Sequence, residues 1–268
     1  MTAAARMHRP RRRFGQNFLR DPNYIGRIVA AIAPEHGDHC VEIGPGDGAL
    51  TLPLAEAAGR LDCVELDRDL ARQLESRLAG KEHVQIHCRD ILKFDLAELG
   101  GSPGNLRITG NLPYNISTPV LFHLLKMSHW INDMTFMLQR EVVERMTAAP
   151  GNRNYGRLSV MLKYHCKVER LFHVPPEAFR PQPKVHSSVV RLRPHRPRPL
   201  QAADENALAT VVRTAFGQRR KTLRNGLKSL AAAEVLERLP VDLGARPEQL
   251  GLADYVRISD AISSDGEK

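Results

Sequence analysis

The string Gly110-Asn111-Leu112-Pro113-Tyr114 closes an apolar, β-rich run, LRIT, and brings together groups suited to chemistry on the exocyclic amine of a nucleobase. Such an amine is a poor nucleophile because its lone pair is delocalised into the ring. A site that methylates it needs acceptors that hold both N–H bonds and favour rehybridisation of the nitrogen. Asn111 offers a side-chain oxygen, the backbone carbonyl of Leu112 offers a second acceptor, and Pro113 restricts the backbone before it. Tyr114 adds a face on which a flipped base can stack. Taken alone, an Asn-x-Pro loop with a packed tyrosine accounts for the same residues.

Three upstream run ends line up with this string. VEIGPGDGALT places Gly44, Gly46 and Gly48 at alternate positions before a helix, where glycine lets the backbone approach a ligand and the helix adds free N–H groups. No GK[ST] follows, so this is not a nucleoside-triphosphate loop. The next run ends in Glu65, where an acid accepts hydrogen bonds from ribose hydroxyls. NAD and S-adenosylmethionine share both features, and a tight turn with a solvated strand end is the bland alternative. The third run ends in Asp90, placed for an adenine amino group or for capping the helix-like ILKFDLAEL.

The elements that must position these residues follow from periodicity. Behind Asp21-Pro22, residues 22–33 have helical spacing. Strand-like runs at 39–44, 60–67, 83–90, 106–113 and 133–139 alternate with helix-like stretches at 49–58, 68–80 and 117–127. This alternation predicts an α/β, doubly wound, mainly parallel sheet, whose ligands bind at the carboxyl ends of its strands. HSSVVRLRP adds a β-like run, and RPHRPRPL reads as a linker. Helical runs at 205–216, 219–239 and 247–263 then predict a small α-helical domain from about residue 200.

With 268 residues, 42% of them hydrophobic and 26% charged, and no apolar run near the roughly 20 residues that span a bilayer, the chain excludes a disordered tail, a fibre and an integral membrane protein. Its four cysteines, Cys40, Cys63, Cys88 and Cys166, form no CxxC pair and read as reduced thiols of a cytoplasmic protein. The 11 histidines show no metal-ligand pattern, so no metal is expected. The net charge of +9 is concentrated: residues 1–20, 178–203 and 206–233 each hold six Lys and Arg and no acid. Such clusters suit a polyanion, since they release counterions condensed on phosphates. Within the third, Arg219, Arg220, Lys221 and Arg224 are the candidate RNA-docking residues, with helical spacing expected to put Arg220 and Arg224 on one face.

GNLPYNIS resembles the acceptor motif of the ribosomal RNA adenine N6-dimethyltransferases, and RRRFGQNFL (11–19) resembles their N-terminal cofactor motif. VEIGPGDGALT, VELDRDL, RDIL and VPPEAFRPQPKVHSSVVRL follow in family order. The similarity covers roughly 11–193 and resumes at FGQRRKTLRNGL (216–227), a string like that of the small-subunit enzymes rather than the large-subunit macrolide-resistance branch. The resemblance implies a Rossmann-like S-adenosylmethionine-dependent methyltransferase domain with a basic N-terminal arm, 1–199, and a helical RNA-docking domain, 200–268. It also implies S-adenosylmethionine-dependent N6,N6-dimethylation of two adjacent adenosines in a hairpin near the 3′ end of small-subunit ribosomal RNA during subunit biogenesis, by a monomer acting on the small-subunit particle.

Residue by residue, the resemblance implies that Asn17 and Leu19 line the cofactor pocket from the N-terminal side, with Gly44 against the methionine part. Glu65 then holds the ribose, Asp90 the cofactor adenine, and Asn111 faces both cofactor and target amine. Phe179 matches a second aromatic that would sandwich the target adenine with Tyr114. The rival readings are the large-subunit branch, a mainly noncatalytic ribosome assembly factor, and an NAD-dependent dehydrogenase, which leaves NLPY and the basic clusters unused.

Overall fold

A computed structural model describes residues 17–239 and 241–266. The basic arm at 1–16, with most of the RRRFGQNFL string, lies outside them. The chain enters through a short strand β1 (Phe18–Leu19) and helix α1 (Pro22–Ile32). Asp21 caps α1 by accepting from the N–H of Asn23 at 2.8 Å, and Pro22 fills the first helical position, where no N–H is needed. Then come β2 (His39–Ile43), α2 (Thr51–Ala57), β3 (Arg60–Val64), α3 (Arg68–Arg77), β4 (Val84–His87), β5 (Leu106–Asn111), α4 (Ser117–Lys126) and β6 (Ile131–Gln139). This is the predicted alternation, with the segment after Asp90 forming two short 3-10 turns in place of a helix. Beyond it lie α5 (Arg140–Thr147), α6 (Arg157–His165), β7 (Cys166–Val174), β8 (Phe179–Arg180) and β9 (Ser187–Pro194).

The seven-stranded sheet has the order β4-β3-β2-β5-β6-β9-β7. Strands β2 to β6 pair in parallel, and β9 runs antiparallel to β6. From β2 the chain winds one way to β3 and β4, then crosses back to β5 on the other side of β2. The β2/β5 junction is therefore the switch point, where the carboxyl ends of a doubly wound sheet leave a crevice. All five residues of β2 are buried, as a central parallel strand requires. Arg107 anchors β5 at its start, donating to Asp38 at 2.6 Å, to Asp133 at 3.0 Å and to the last carbonyls of α1. On the sheet's opposite flank, buried Asp62 bonds His39 at 2.6 Å and His87 at 2.5 Å.

The chain divides into two compact units, and their limits correct the expected boundary after residue 199. The first ends at Val143 and regains the chain at Glu169–Pro194, while Glu144–Val168 belongs with the residues from His195 onward. The reason lies in α6, whose Tyr164 hydroxyl accepts the N–H of Ala202 at 3.2 Å, just past the stretch read as a linker. The second unit continues through α7 (Glu205–Gly217), α8 (Leu223–Leu227), α9 (Ala233–Glu237) and α10 (Leu252–Gly266). Its centre includes the ring of Phe216 packed between Tyr155 and Tyr255. The run 219–239, expected to be helical, is two short helices separated by turns.

Candidate active site

Gly110 sets how closely β5 meets β2: a Cβ there would lie 2.3 Å from the Ile43 carbonyl oxygen, so no other residue fits. This approach puts the end of β5 against the loop after β2. That loop turns through three positive-φ glycines, Gly44, Gly46 and Gly48, which an L side chain would strain. Its turn directs the Gly46 N–H onto Glu65 Oε2 at 3.0 Å, while the N–H of Asp67 donates to Oε1 at 2.8 Å. Glu65 is only 6% exposed, and burial raises its carboxyl above the ordinary value against those two hydrogen bonds.

A single pocket is lined by Asn17, Leu19, Gly44, Glu65, Asp90 and the whole Asn111–Tyr114 string. Nine of the ten expected cofactor and acceptor residues thus converge at the switch point. Asp90 also caps the following turn, its Oδ1 accepting the Leu92 N–H at 3.0 Å, so both functions suggested for it are compatible. The Leu112 N–H is committed to the Met137 carbonyl at 3.2 Å, which fixes the loop to β6.

The orientation of Asn111 is set by a contact the sequence did not reveal. Its Nδ2 donates to the backbone carbonyl of Asn17 at 3.0 Å. A carbonyl can only accept, so the amide must turn its nitrogen toward Asn17 and keep its oxygen as the acceptor on the other side. Tyr114 edges the pocket, its hydroxyl 2.9 Å from Ser187 Oγ. Burial raises its phenol above the ordinary value, so the ring is neutral at working pH.

Phe179 is the exception. It is 1% exposed, pairs with Leu19 across the β1/β8 ribbon, and packs in the cluster that includes Ile28, Ile32 and Val189. It is not among the residues that line the pocket, and its contacts here are packing contacts. Phe18 and Glu42, both absent from the expected site, do line it. Phe18 lies over Gly46, where a Cβ would approach its ring to 3.1 Å. Glu42 is 2% exposed, and its carboxylate accepts from the Cys63 thiol at 3.9 Å.

The RNA-docking candidates belong to the second unit, and their expected helical spacing is also corrected. Arg219, Arg220 and Lys221 occupy the turn between α7 and α8, with only Arg224 in a helix. Arg219 approaches Glu248 at 3.8 Å and Arg224 bonds Glu237 at 3.2 Å. Acids beyond the acid-free stretch therefore reach two of the four.

The lining combines acidic acceptors, apolar groups and an oriented amide, which suits a polyhydroxylated, cationic nucleoside beside an amine. Comparison with known proteins agrees. The sequence matches the family model for ribosomal RNA adenine dimethylases over residues 7–264. A Pseudomonas fluorescens protein named ribosomal RNA small subunit methyltransferase A is 54% identical over 256 residues, covering 96% of this chain and 95% of its own. A crystal structure of a dimethyladenosine transferase from Plasmodium falciparum superposes with a TM-score of 0.75 at 25% identity, over 90% of this chain and 95% of that one. The 23S rRNA methyltransferase ErmE gives a TM-score of 0.70, also at 25% identity, over 92% of this chain and all of its own. A family match spanning nearly the whole chain, beside a relative of this identity, makes the protein a member of the ribosomal RNA adenine dimethylase family.

Proposed function

We propose that the protein transfers methyl groups from S-adenosylmethionine to N6 of two adjacent adenosines in a hairpin near the 3′ end of small-subunit ribosomal RNA, dimethylating each. The observation that carries this is the locked amide of Asn111, which presents an acceptor at the end of β5 directly beside the glycine loop of β2. The donor set fits the cofactor: Glu65, a buried carboxylate, for the ribose hydroxyls; Asp90 for the adenine amino group; and Gly44 with Asn17 and Leu19 around the methionine part. When bound, S-adenosylmethionine supplies an electrophilic methyl group on a sulfonium.

The chain's own residues do the rest by positioning. Asn111 Oδ1 and the Leu112 carbonyl hold the two N–H bonds of the target amine, so the nitrogen lone pair turns out of conjugation. Tyr114 supports the flipped base. Orientation of this kind supplies a large share of a barrier without a strong base. The small-subunit substrate is favoured over the large-subunit one by the 54% identity to a small-subunit relative, against 25% to the 23S enzyme. The four free cysteines support action in the cytoplasm, and a monomer working on the small-subunit particle completes the proposal.

The test is incubation with labelled S-adenosylmethionine and separated, unmodified ribosomal subunits. Label is expected in small-subunit RNA, as dimethyladenosine. Asn111→Ala should retain the fold and much of the RNA affinity and lose about 10²-fold or more in rate, as expected for removal of a preorganised contact at the reacting centre. Label confined to large-subunit RNA, or an Asn111→Ala protein with normal turnover, overturns the assignment.

A further inference from the structure

We propose that Ser187 is a positioning residue for methyl transfer, its hydroxyl holding the Tyr114 ring in the plane that receives the target base. This rests on the reading of Tyr114 as the stacking face. The two oxygens lie 2.9 Å apart, and Ser187 is fully buried at the start of β9. In the sheet, Ser187 is opposite Gln139 of β6, and β6 places Met137 opposite Asn111 of β5. The bond therefore reaches from the loop after β5 across an intervening strand, a span that only a side chain as long as tyrosine's covers.

Both partners are fixed at their backbones. Beside Ser187, the carbonyl of His186 accepts the Arg140 N–H at 2.9 Å, and Ser188 Oγ bonds His173 Nδ1 at 2.8 Å. Around Tyr114, the Pro113 carbonyl accepts the N–H groups of Ile116 and Ser117 at 3.1 Å, and Ser117 Oγ donates to the Tyr114 carbonyl at 3.2 Å. A tyrosine anchored only at its backbone still turns about two side-chain bonds. A hydrogen bond at the far end of the ring removes that freedom. The plane of Tyr114 governs how a base is presented to Asn111, so losing its tether should be felt in turnover and not in cofactor binding.

The test compares Ser187→Ala, Tyr114→Phe and the double variant in methylation of unmodified small subunits, with cofactor affinity by calorimetry and a melting curve for each. Each single variant should lose about fivefold or more in kcat, the worth of one hydrogen bond, at unchanged cofactor Kd. The double variant should lose no more than either single one, because both remove the same bond. Ser187→Thr, which keeps the hydroxyl, should restore most of the rate. Losses that multiply in the double variant, or a Ser187→Ala protein with wild-type kcat, overturn the role of Ser187 alone. A Tyr114→Leu protein with near wild-type turnover overturns the stacking reading, and this proposal with it.

Discussion

Glu42 shows what a single buried side chain does to the site. It lies inside the central strand β2 and lines the pocket, and burial pushes its carboxyl up to about 7. The Thr51 hydroxyl and Cys63 thiol oppose the shift, and the carboxylates of Glu65 and Asp47 add to it. Its folded value thus lies above the ordinary 4.5. Below the ordinary value the group is neutral in both states and costs nothing. As pH rises toward 7 the unfolded chain ionises while the folded one keeps its proton, so stability falls, by on the order of 3 kcal/mol at full ionisation. Glu42→Gln should therefore flatten the decline of melting temperature between about pH 5 and 7.5; a variant curve parallel to that of the wild type refutes the buried-acid account. Glu42 was not recognised as a site residue in the sequence, whereas Glu65 and Asp90 were. The difference is physical: residues that end strands at regular spacing announce a shared edge, but a residue inside a strand gives no sign of which cavity it faces. Ser187 and the Asn17 carbonyl escaped notice for a related reason, since each acts on a residue more than 70 positions away.

At the scale of elements, the parallel core was legible because each strand is buried and bounded by turn residues, so period and length agree. Two elements were not. β7 is an edge strand with only two of its nine residues buried, and its sequence, CKVERLFHV, follows a helical run without a turn signal. The run 219–239 has helix-forming composition, yet Gly226 of α8 is packed near Ala215 of α7, so tertiary packing overrides local preference. The β1/β8 ribbon explains why Phe179 stands apart from the other expected site residues. In sequence its aromatic ring stands beside a motif whose partners face a ligand; in the fold its strand pairs with β1, and the ring turns into the core under Leu19. Phe179→Ala should consequently cost about 3–5 kcal/mol of stability, the usual penalty for emptying a core phenylalanine site. Phe179→Leu should cost much less and leave turnover close to wild type in protein that remains folded. A Phe179→Leu protein with wild-type melting temperature and a large loss of turnover would assign the ring to stacking on the target base.

For the whole molecule, the distribution of charge matters more than the net value of +9. The acid-free stretch 206–233 was legible as a basic segment, but sequence distance concealed the acids that meet it. Glu237 and Glu248 lie beyond its end, and the fold brings them to Arg224 and Arg219. Exposed pairs of this kind contribute at most about 1 kcal/mol each, so they divert these arginines without burying them. Arg220 and Lys221 are exposed in the turn between α7 and α8 and carry the clearest phosphate-binding potential of the four. Contacts of that type are independent of base sequence and set where the enzyme docks, leaving the adenine to the pocket. Replacing Arg220 and Lys221 together by Ala should weaken binding to the small subunit and lower the slope of log affinity against log salt by about 0.7 to 0.9 per lost contact. Replacing Arg219 and Arg224 should change that slope less, because each must first leave a carboxylate whose charge then remains nearby. Cofactor affinity should be the same in all of them, since none of the four lines the pocket. Subunit affinity measured at several salt concentrations, beside melting curves, distinguishes docking from packing: a slope unchanged in the Arg220 and Lys221 double variant, accompanied by a lowered melting temperature, would remove this turn from the RNA-binding surface.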